Sequence, residues 1–416
     1  MKPGKILPRL VEPRLKEALA DTPVVLIHGP RQCGKTTLAQ LVGRKLGYAY
    51  VSLDEEVPRA AAETDPVGFV ADLPRRVVLD EVQYVPSLFP ALKVAVDRDR
   101  VPGRFLLTGS ANLLFVPQLA ESLVGRMEIL RLFPFAQCEI EGAKATFLDR
   151  LFQGRFPARR GERLGRRLAE RIVAGGVPVA LARKPGRRRA AWYKWYVETL
   201  IQRDVRSLAR IASPGALPQL LALAAAQTAC LLNVADLAGP FELSRPTIRD
   251  YLTLLEHVFL VEKLPPWHSN RLSRLVKKPK LHMGDTGLAA ALLGLDAAAL
   301  YEDKEAYGRL LETFVFGELR RLASGHGEDI RFHHFRVREG YEVDLVLEWG
   351  GRKLAGIEVK ASSTVTASDF RGLRKLAAAA GKRFVCGVLL YDGEVSLGFG
   401  DRMYAVPVWA LWEKKA

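Results

Sequence analysis

The feature that most constrains the fold is a glycine-rich segment at residues 29–36, which reads GPRQCGKT. An apolar run at residues 24–27 precedes it, and a helical pattern follows over residues 36–46. This order is typical of a P-loop, in which backbone N–H groups and the start of a helix converge on phosphates. The segment therefore predicts a nucleoside triphosphate site at the edge of an α/β sheet.

The residues of this P-loop have distinct predicted tasks. The ammonium group of Lys35 would reach the β and γ phosphates of ATP, and the hydroxyl of Thr36 would coordinate Mg²⁺. The glycines let the backbone approach the phosphates closely. The predicted nucleotide-binding residues are Gly29, Pro30, Arg31, Gln32, Cys33, Gly34, Lys35, Thr36 and Thr37.

Three more short apolar runs follow, at residues 49–53, 77–79 and 105–107. Each run is bounded by turn residues or charges. Continuous apolar runs of this length are typical of strands that are buried on both faces. Together with residues 24–27 they predict a parallel α/β sheet covered by helices.

The run at residues 77–79 ends in Asp80 and Glu81. In a parallel sheet these carboxylates would lie beside the P-loop, because ligands bind at the carboxyl ends of the strands. Asp80 would hold Mg²⁺ through water, and Glu81 would polarise the water that attacks the γ phosphate. The alternative is a solvated strand end without a catalytic role.

Two further candidates are less specific. Ser110, with Thr108 or Asn112 nearby, follows the run at residues 105–107 and could orient the attacking water. Hydroxyls also end many strands for simple capping reasons. Arg126 could be an arginine finger, and a surface salt bridge is an equally good interpretation.

The composition limits the partners and the compartment. The formal net charge is +16, which favours a polyanionic partner, usually nucleic acid. The alternative is a solubilising surface in an arginine-rich proteome. The four cysteines are widely scattered, so neither a disulfide framework nor a zinc site is expected. Because residues 1–14 contain no apolar core of a signal peptide, we expect a cytoplasmic protein without a membrane partner.

Several motifs resemble those of a known prokaryotic family, the AAA+-type ATPases with a C-terminal domain of unknown function, DUF4143. The resemblance covers nearly the whole chain. The motifs begin with HGPRQCGKTT at residues 28–37, LDEVQ at 79–83 and LTGS at 107–110. They continue with LVGR at 123–126, GGVP at 175–178, RD at 203–204, PKL at 279–281 and GDTGL at 284–288.

This resemblance implies a P-loop AAA+ αβα core, a helical lid near residues 175–178, a winged helix-turn-helix and a C-terminal α+β domain of the restriction-endonuclease type. It also implies that Arg126 acts on a neighbour's nucleotide in a ring. We expect this ring to be homo-oligomeric and hexameric. The resemblance does not supply a substrate.

Independently of the family resemblance, the pattern of residues 232–255 predicts a helix-turn-helix. Ser244 suits a helix N-cap, and an apolar stripe follows it. The pattern leaves Arg245, Thr247 and Arg249 exposed near the start of the second helix, where a recognition helix meets DNA. The stripe consists of Ile248, Tyr251, Leu252 and Leu255.

A wing is predicted to follow, with strands at residues 259–264 and 280–283. Cations between these strands would suit phosphates and would give affinity without sequence preference. The alternative is a winged helix used only for protein contacts. The cations are Arg271, Arg274, Lys277 and Lys278.

The C-terminal region contains a possible second active site. Asp344, Glu358 and Lys360 follow the D-(x)13-E-x-K pattern on two apparent strands, which resembles the PD-(D/E)xK nuclease core. On one strand Glu358 and Lys360 would point the same way and meet Asp344. Glu312 lies where resolvases of that fold carry a metal-site glutamate. The carboxylates could bind Mg²⁺, or the fold could serve only as a DNA-binding platform.

These observations predict four domains, at residues 1–140 (ATPase core), 141–213 (basic helical lid), 214–300 (winged helix-turn-helix) and 301–416 (nuclease-like). The leading functional hypothesis is a DNA-binding AAA+ ATPase that uses ATP and Mg²⁺ to remodel or translocate DNA, including branched DNA such as Holliday junctions. Two alternatives are a metal-dependent nuclease gated by ATP and a nucleotide-controlled signalling or antitoxin-like switch.

Overall fold

The first sheet positions the P-loop. In the computed structural model, which describes residues 6–110, 123–205, 213, 215–241, 243–268, 278–327 and 329–413, five parallel strands lie in the order β2-β3-β4-β1-β5. The first four strands correspond to the four predicted apolar runs. The strands are β1 (Val24–His28), β2 (Ala49–Ser52), β3 (Val77–Asp80), β4 (Phe105–Gly109) and β5 (Met127–Arg131).

Helices cover both faces of this sheet. Val24 and Leu26 belong to one buried cluster, whereas Val25 and Ile27 belong to the other, on the opposite face. Burial on both faces explains why the strand residues are continuously apolar, and it confirms the predicted αβα core. The helices are α1 (Glu12–Asp21), α2 (Lys35–Lys45), α3 (Glu56–Thr64), α4 (Pro66–Asp72) and α5 (Leu88–Arg98).

A helical segment follows the sheet and leads away from it. Its residues join a buried cluster that runs from Ala136 to Trp412, so this segment shares its core with the C-terminal half of the chain. The helices are α6 (Gln137–Glu141), α7 (Phe147–Gln153), α8 (Arg166–Ala174), α9 (Pro178–Leu181) and α10 (Arg187–Leu200), with a π-helical turn at Ile201–Val205.

The next unit has the element order of a winged helix-turn-helix. Its three strands form an antiparallel sheet in the order β7-β9-β8. The Oγ of Ser244 accepts from the backbone N–H of Thr247 at 3.3 Å, so the predicted N-cap begins the second helix. The elements are α11 (Ala216–Ala226), β7 (Cys230–Leu231), α12 (Val234–Ala238), α13 (Arg245–His257), β8 (Val261–Leu264) and β9 (Lys280–Met283).

The C-terminal α+β unit is built on a seven-stranded sheet in the order β10-β11-β12-β13-β15-β14-β6. Its edge strand β6 (Arg159–Arg160) comes from the basic helical segment and pairs with β14. The remaining elements are α14 (Thr286–Leu293), α15 (Ala297–Glu302), α16 (Lys304–Ser324), β10 (Ile330–Arg336), β11 (Glu342–Trp349), β12 (Lys353–Lys360), α17 (Arg371–Ala380), β13 (Phe384–Tyr391), β14 (Val395–Gly398) and β15 (Met403–Pro407). Short 3₁₀ turns lie at Val82–Tyr84, Ala367–Phe370, Gly381–Arg383 and Val408–Trp412.

None of the helices within the described ranges has the length and apolar character needed to cross a lipid bilayer.

Candidate nucleotide site and nuclease-like cluster

The P-loop lies between the end of β1 and the start of α2. Gly29 has φ 152° and Gly34 has φ 100°, both in the region that favours glycine. A Cβ at position 29 would overlap the backbone carbonyl of Leu132, which passes directly beside the loop. Glycine is therefore required at this position by close packing as well as by backbone conformation.

Lys35 is buried and its ammonium group is held by the loop itself. The Nζ donates to the backbone carbonyls of Gly29 at 3.0 Å and Pro30 at 2.9 Å. The Oγ1 of the adjacent Thr36 donates to the carboxylate of Asp80, with both oxygens at 3.0 Å. The structure thus brings together the three side chains that sequence analysis assigned to phosphate and Mg²⁺ binding.

Asp80 accepts from two further hydroxyls that orient its carboxylate. The Tyr50 hydroxyl donates at 2.8 Å, and the Thr108 hydroxyl also donates. Burial, followed by the hydrogen bond to Asp80, raises the pKa of Tyr50 to about 12, so the phenol keeps its proton. A carboxylate beside a threonine hydroxyl fits Mg²⁺, which prefers oxygen ligands. Tyr50 was not predicted, because a tyrosine in a strand carries no motif.

Glu81 follows Asp80 with φ 58° and is positioned by a glutamine that sequence analysis missed. The Nε2 of Gln83 donates to the Glu81 carboxylate and to the Oγ of Ser110, the latter at 3.0 Å. The backbone N–H of Glu81 donates to the Oγ1 of Thr108 at 3.1 Å. The two predicted strand ends therefore meet through Gln83, whose only signal was its place in the LDEVQ motif. Asn112 lies outside the described residues.

This arrangement gives Gln83 a positioning role that can be measured. We expect Gln83→Ala to lower kcat for ATP hydrolysis roughly tenfold, because a misoriented base loses part of the ~10²–10⁴ that general-base catalysis contributes. The KM for ATP should change little, since Gln83 contacts Glu81 rather than the P-loop. Gln153→Ala, at an exposed position, serves as the matched control. A kcat equal to or above that of the wild type would contradict the positioning role.

A cleft of about 570 Å³ extends from the P-loop to the helical segment. The Tyr196 hydroxyl donates to the carbonyl of Arg31 at 3.0 Å, and Trp192 stacks on Tyr196 with ring centroids 5.0 Å apart. Trp195 also lines the cleft and is 69% exposed. These aromatic residues of α10 were not predicted to contact the site, because the basic residues around them dominate the sequence pattern.

Two arginines from distant parts of the chain also reach the site. The Nη2 of Arg203 donates to the Tyr84 hydroxyl at 2.9 Å, and Arg203 lines the same cleft as the P-loop. The Nη1 of Arg9 donates to the carbonyl of Cys33 at 2.8 Å, and its Nε donates to Glu139 at 3.2 Å. Arg203 belongs to the RD motif of the family, but the sequence did not assign a role to this motif. Arg9 gave no signal.

Arg126 lies at the amino ends of the parallel strands, whereas the P-loop lies at their carboxyl ends. Its backbone carbonyl accepts from the N–H of Val24, at the start of β1, whereas the P-loop follows the end of β1. Its guanidinium forms a two-point ion pair with Asp97, at 2.6 and 3.0 Å, on the protein surface. Arg126 therefore lies at the far end of β1 from the P-loop of the same chain.

The end of β1 also contacts the winged helix. The ring of His28 lies edge-on to that of Phe259, with centroids 5.6 Å apart. Burial, assisted by the charges of Arg131 and Lys35, lowers the pKa of His28 to about 3, so the ring is neutral. Arg131 forms an ion pair with Glu262 on β8. Burial alone would raise the pKa of Glu262, but the neighbouring arginines outweigh it and lower that pKa.

The predicted DNA contacts are distributed as follows. Arg245 and Arg249 are exposed near the start of α13, whereas the Thr247 hydroxyl is bonded to that of Ser244 at 2.8 Å. Lys278 is exposed beside the start of β9. The other wing cations of the prediction, Arg271, Arg274 and Lys277, lie outside the described residues.

The predicted nuclease-like carboxylates, Glu312, Asp344 and Glu358, are near one another, but their partner is not the predicted one. The Nζ of Lys280, on β9, donates to Glu312 at 2.8 Å and to Asp344 at 2.9 Å. Lys360 was expected to meet Asp344. It instead forms an ion pair with Asp369 at 2.6 Å, because the turn before α17 brings that carboxylate within its reach.

The electrostatics of this cluster follow from its burial. Desolvation and the charge of Asp344 raise the pKa values of Glu312 and Glu358 well above the usual range for glutamate. Burial lowers the pKa of Lys280, but the two carboxylates that it contacts outweigh burial and raise that pKa overall. Among the described residues, no group of three or more His, Cys, Asp and Glu side chains is arranged to hold a metal ion.

Three family models match successive parts of the chain. A model described as an AAA domain matches residues 21–141, and the domain of unknown function DUF4143 matches residues 307–411. Between them, residues 165–299 match a second domain of unknown function, DUF8612. The sheet, the P-loop and the AAA match define this chain as a P-loop AAA+ ATPase.

Two mycobacterial proteins are similar over most of their length. The uncharacterized proteins Rv2008c of Mycobacterium tuberculosis and Mb2031c of Mycobacterium bovis are each 32% identical over 395 residues, covering 95% of this chain and 82% of the relative. The chain belongs to this family of AAA+ ATPases with a C-terminal DUF4143 domain.

Two solved structures are similar to part of the chain at low sequence identity. The Walker-type ATPase PABY2304 of Pyrococcus abyssi is 17% identical with a TM-score of 0.41, covering 68% of this chain and 94% of that one. The Thermotoga maritima RuvB Holliday junction branch migration motor is 18% identical with a TM-score of 0.28, covering 61% of this chain and 89% of that one.

Proposed function

We propose that this ATPase binds ATP with Mg²⁺ and couples its hydrolysis to the remodelling or translocation of DNA. The observation that carries the proposal is the direct contact between the nucleotide site and a winged helix whose arginines face solvent. At the nucleotide, Lys35 would bind the β and γ phosphates, and Thr36 with Asp80 would hold Mg²⁺. The metal would neutralise charge on the phosphates. Glu81 would act as general base on the attacking water, oriented by Gln83.

The contact between the two units offers a route for coupling. The backbone N–H of Leu132 donates to the carbonyl of His28 at 2.8 Å, which ties the end of β5 to the end of β1. Arg131 lies 4.8 Å from the ring centroid of Phe259 and is paired with Glu262. Because both strands end at the P-loop, a shift of the loop on hydrolysis would be transmitted to β8 of the winged helix.

The proposed DNA contacts come from the start of α13 and from the residue before the start of β9. Arg245, Arg249 and Lys278 are exposed at these positions. The net charge of +16 adds a long-range attraction to polyanions. Contacts of this kind position DNA through its phosphates, so structure rather than sequence would be recognised. Branched DNA such as a Holliday junction is the substrate that we would test first.

An oligomer would complete the nucleotide site. Arg126 lies on the surface at the far end of β1 from its own P-loop, where a neighbouring copy could present a P-loop to it. We propose that it acts in trans in a homo-oligomeric ring, as the resemblance implies, and that this ring is a hexamer. The ion pair with Asp97 would hold its guanidinium ready, at the modest cost of breaking an exposed pair.

The DNA surface can be tested by the salt dependence of binding. Arg245→Ala/Arg249→Ala is expected to weaken duplex binding and to reduce the slope of log K against log salt by roughly 2, since each phosphate contact contributes about 0.9. Fluorescence anisotropy across a salt series measures this slope. Arg75→Ala/Arg98→Ala removes the same charge from exposed positions of the ATPase core and should leave the slope unchanged. Equal slopes for all three proteins would remove α13 from the DNA interface.

The alternatives predict different outcomes. A nuclease gated by ATP would cut plasmid or junction DNA, and that activity would vanish in Asp344→Ala. The position of Lys280 does not favour this alternative. A signalling or antitoxin-like switch would hydrolyse ATP slowly without a ring, and its ATPase rate would be indifferent to DNA.

A further inference from the structure

The nuclease-like cluster contains a buried cation that the chain itself supplies. Lys280 enters from β9 of the winged helix, and its side chain is only 6% exposed. It meets Glu312 on α16 and Asp344 on β11, with Glu358 on the neighbouring β12. An ammonium group between carboxylates provides the neutralisation that a divalent ion would otherwise provide.

Both oxygens of the carboxylate that would be central to a metal site already accept a hydrogen bond. The Oδ1 of Asp344 accepts from Lys280 at 2.9 Å, and its Oδ2 accepts from the backbone N–H of Val359 at 3.0 Å. A metal ion would have to displace the ammonium group to bind Asp344 at Oδ1. The lysine of the nuclease pattern, Lys360, is also engaged elsewhere, with Asp369. The residues present therefore do not fit a resident Mg²⁺ in this cluster.

Lys280 is also anchored inside the contact between the winged helix and α16. Its backbone lies in the central strand of the three-stranded sheet, in register with Leu231 on one side and Leu264 on the other. The winged helix and α16 make a second buried contact, in which the hydroxyls of Thr228 and Thr313 are 2.8 Å apart. We call the contact between these two units the junction. Releasing the ammonium group would require the winged helix to separate from α16.

A second contact holds the same junction on the far side of β8. The backbone N–H of Trp267 donates to the carbonyl of His334 at 2.6 Å, and the N–H of His334 donates to the carbonyl of Pro265 at 2.9 Å. The strand of the winged helix is thus extended onto β10 of the C-terminal sheet. Two separate sets of contacts bind these units together, one of hydrogen bonds between backbones and one of buried charges.

From this geometry we infer that Lys280 is the resident cation of the Glu312, Asp344 and Glu358 cluster. The C-terminal domain would therefore anchor the winged helix and would not cut DNA through a metal bound there. This inference is independent of the proposed coupling of ATP hydrolysis to DNA, since neither the P-loop nor α13 enters it.

The test is Mn²⁺ binding without nucleotide, measured by calorimetry. Wild type, Asp344→Asn and Glu358→Gln should give the same isotherm, because the cluster binds no Mn²⁺. Lys280→Met should gain a Mn²⁺ site that is at least ~10-fold tighter than any other in the chain, a difference of about 1.4 kcal/mol. Lys280→Met/Asp344→Asn should lose it again. Lys278→Met, at an exposed position beside it, should match the wild type.

Two results would overturn the inference. One is Mn²⁺ binding by the wild type that Asp344→Asn and Glu358→Gln both remove. The other is cleavage of plasmid or four-way-junction DNA by the wild type with Mg²⁺ or Mn²⁺ that the same substitutions abolish. Both comparisons use the wild type against conservative variants, so they remain decisive even where Lys280→Met does not fold.

Discussion

Replacing Lys35 with methionine is expected to lower ATP hydrolysis at least ~100-fold, which corresponds to about 2.7 kcal/mol of lost transition-state stabilisation. The ammonium group is buried at the P-loop, where the carbonyls of Gly29 and Pro30 hold it. In this position it can transfer from the loop to a phosphate that enters the site. Methionine keeps the length and the apolar stem but removes the charge. Steady-state phosphate release measures the loss.

Lys45→Met is the matched control, because Lys45 ends the same helix and its side chain is mostly exposed. This variant should hydrolyse ATP at the wild-type rate. Retention of a substantial rate by Lys35→Met, with an unchanged circular dichroism spectrum, would show that the phosphates bind elsewhere.

Replacing Lys280 with methionine is expected to destabilise the C-terminal half of the chain by about 3–5 kcal/mol, the cost of leaving buried charges without a partner. Glu312 and Asp344 would lose the ammonium group that contacts both of them. Equilibrium unfolding in urea, followed by tryptophan fluorescence, measures the change, because several tryptophans lie in this half of the chain.

Removing the carboxylates together with the lysine distinguishes the electrostatic cost of the Lys280→Met substitution from its packing cost. The variant Lys280→Met/Glu312→Gln/Asp344→Asn should recover a large part of the lost stability, since both carboxylates that Lys280 contacts directly are then neutral. Lys278→Met should be neutral within about 0.5 kcal/mol, as is usual for an exposed position. A single Lys280→Met substitution that is also neutral would mean that the cluster does not need its ammonium group.

The ATPase core was predictable because its signals are local. A P-loop requires a strand, a tight turn and a helix in sequence, and strands buried on both faces must be continuously apolar. The fifth strand, Met127–Arg131, escaped prediction because it is an edge strand of mixed exposure that contains Glu128. No short apolar run marks such a strand.

The partners of the site were less predictable, because contacts between distant residues leave no pattern in one sequence. Arg9 reaches the carbonyl of Cys33, and Lys280 reaches Asp344 across 64 positions. The D-(x)13-E-x-K pattern correctly placed the carboxylates on neighbouring strands. It could not reveal that a lysine from another unit contacts two of these carboxylates. It also could not reveal that Lys360 pairs with Asp369 and not with the cluster.

The strongly basic segment has a partly different explanation from the predicted one. Residues 141–213 were predicted to form a basic helical lid, and the net charge of the whole chain favoured a polyanionic partner. Four of the segment's arginines pair with carboxylates of the C-terminal half, and these pairs join the segment to that half. A fifth pairs with a carboxylate of α6, within the segment itself. The pairs are Arg150 and Arg159 with Glu413, Arg160 with Glu394, Arg163 with Asp392, and Arg171 with Glu141.

The central claim, that ATP hydrolysis is coupled to DNA, is tested most directly by the ATPase rate of the wild type. The rate should be measured with no DNA and with duplex, single-stranded and four-way-junction DNA at one stated salt concentration, since phosphate contacts are salt-dependent. We predict a several-fold increase in kcat with at least one of these DNAs, and no increase in Arg245→Ala/Arg249→Ala. A rate that is the same with all three DNAs as without DNA would contradict the claim.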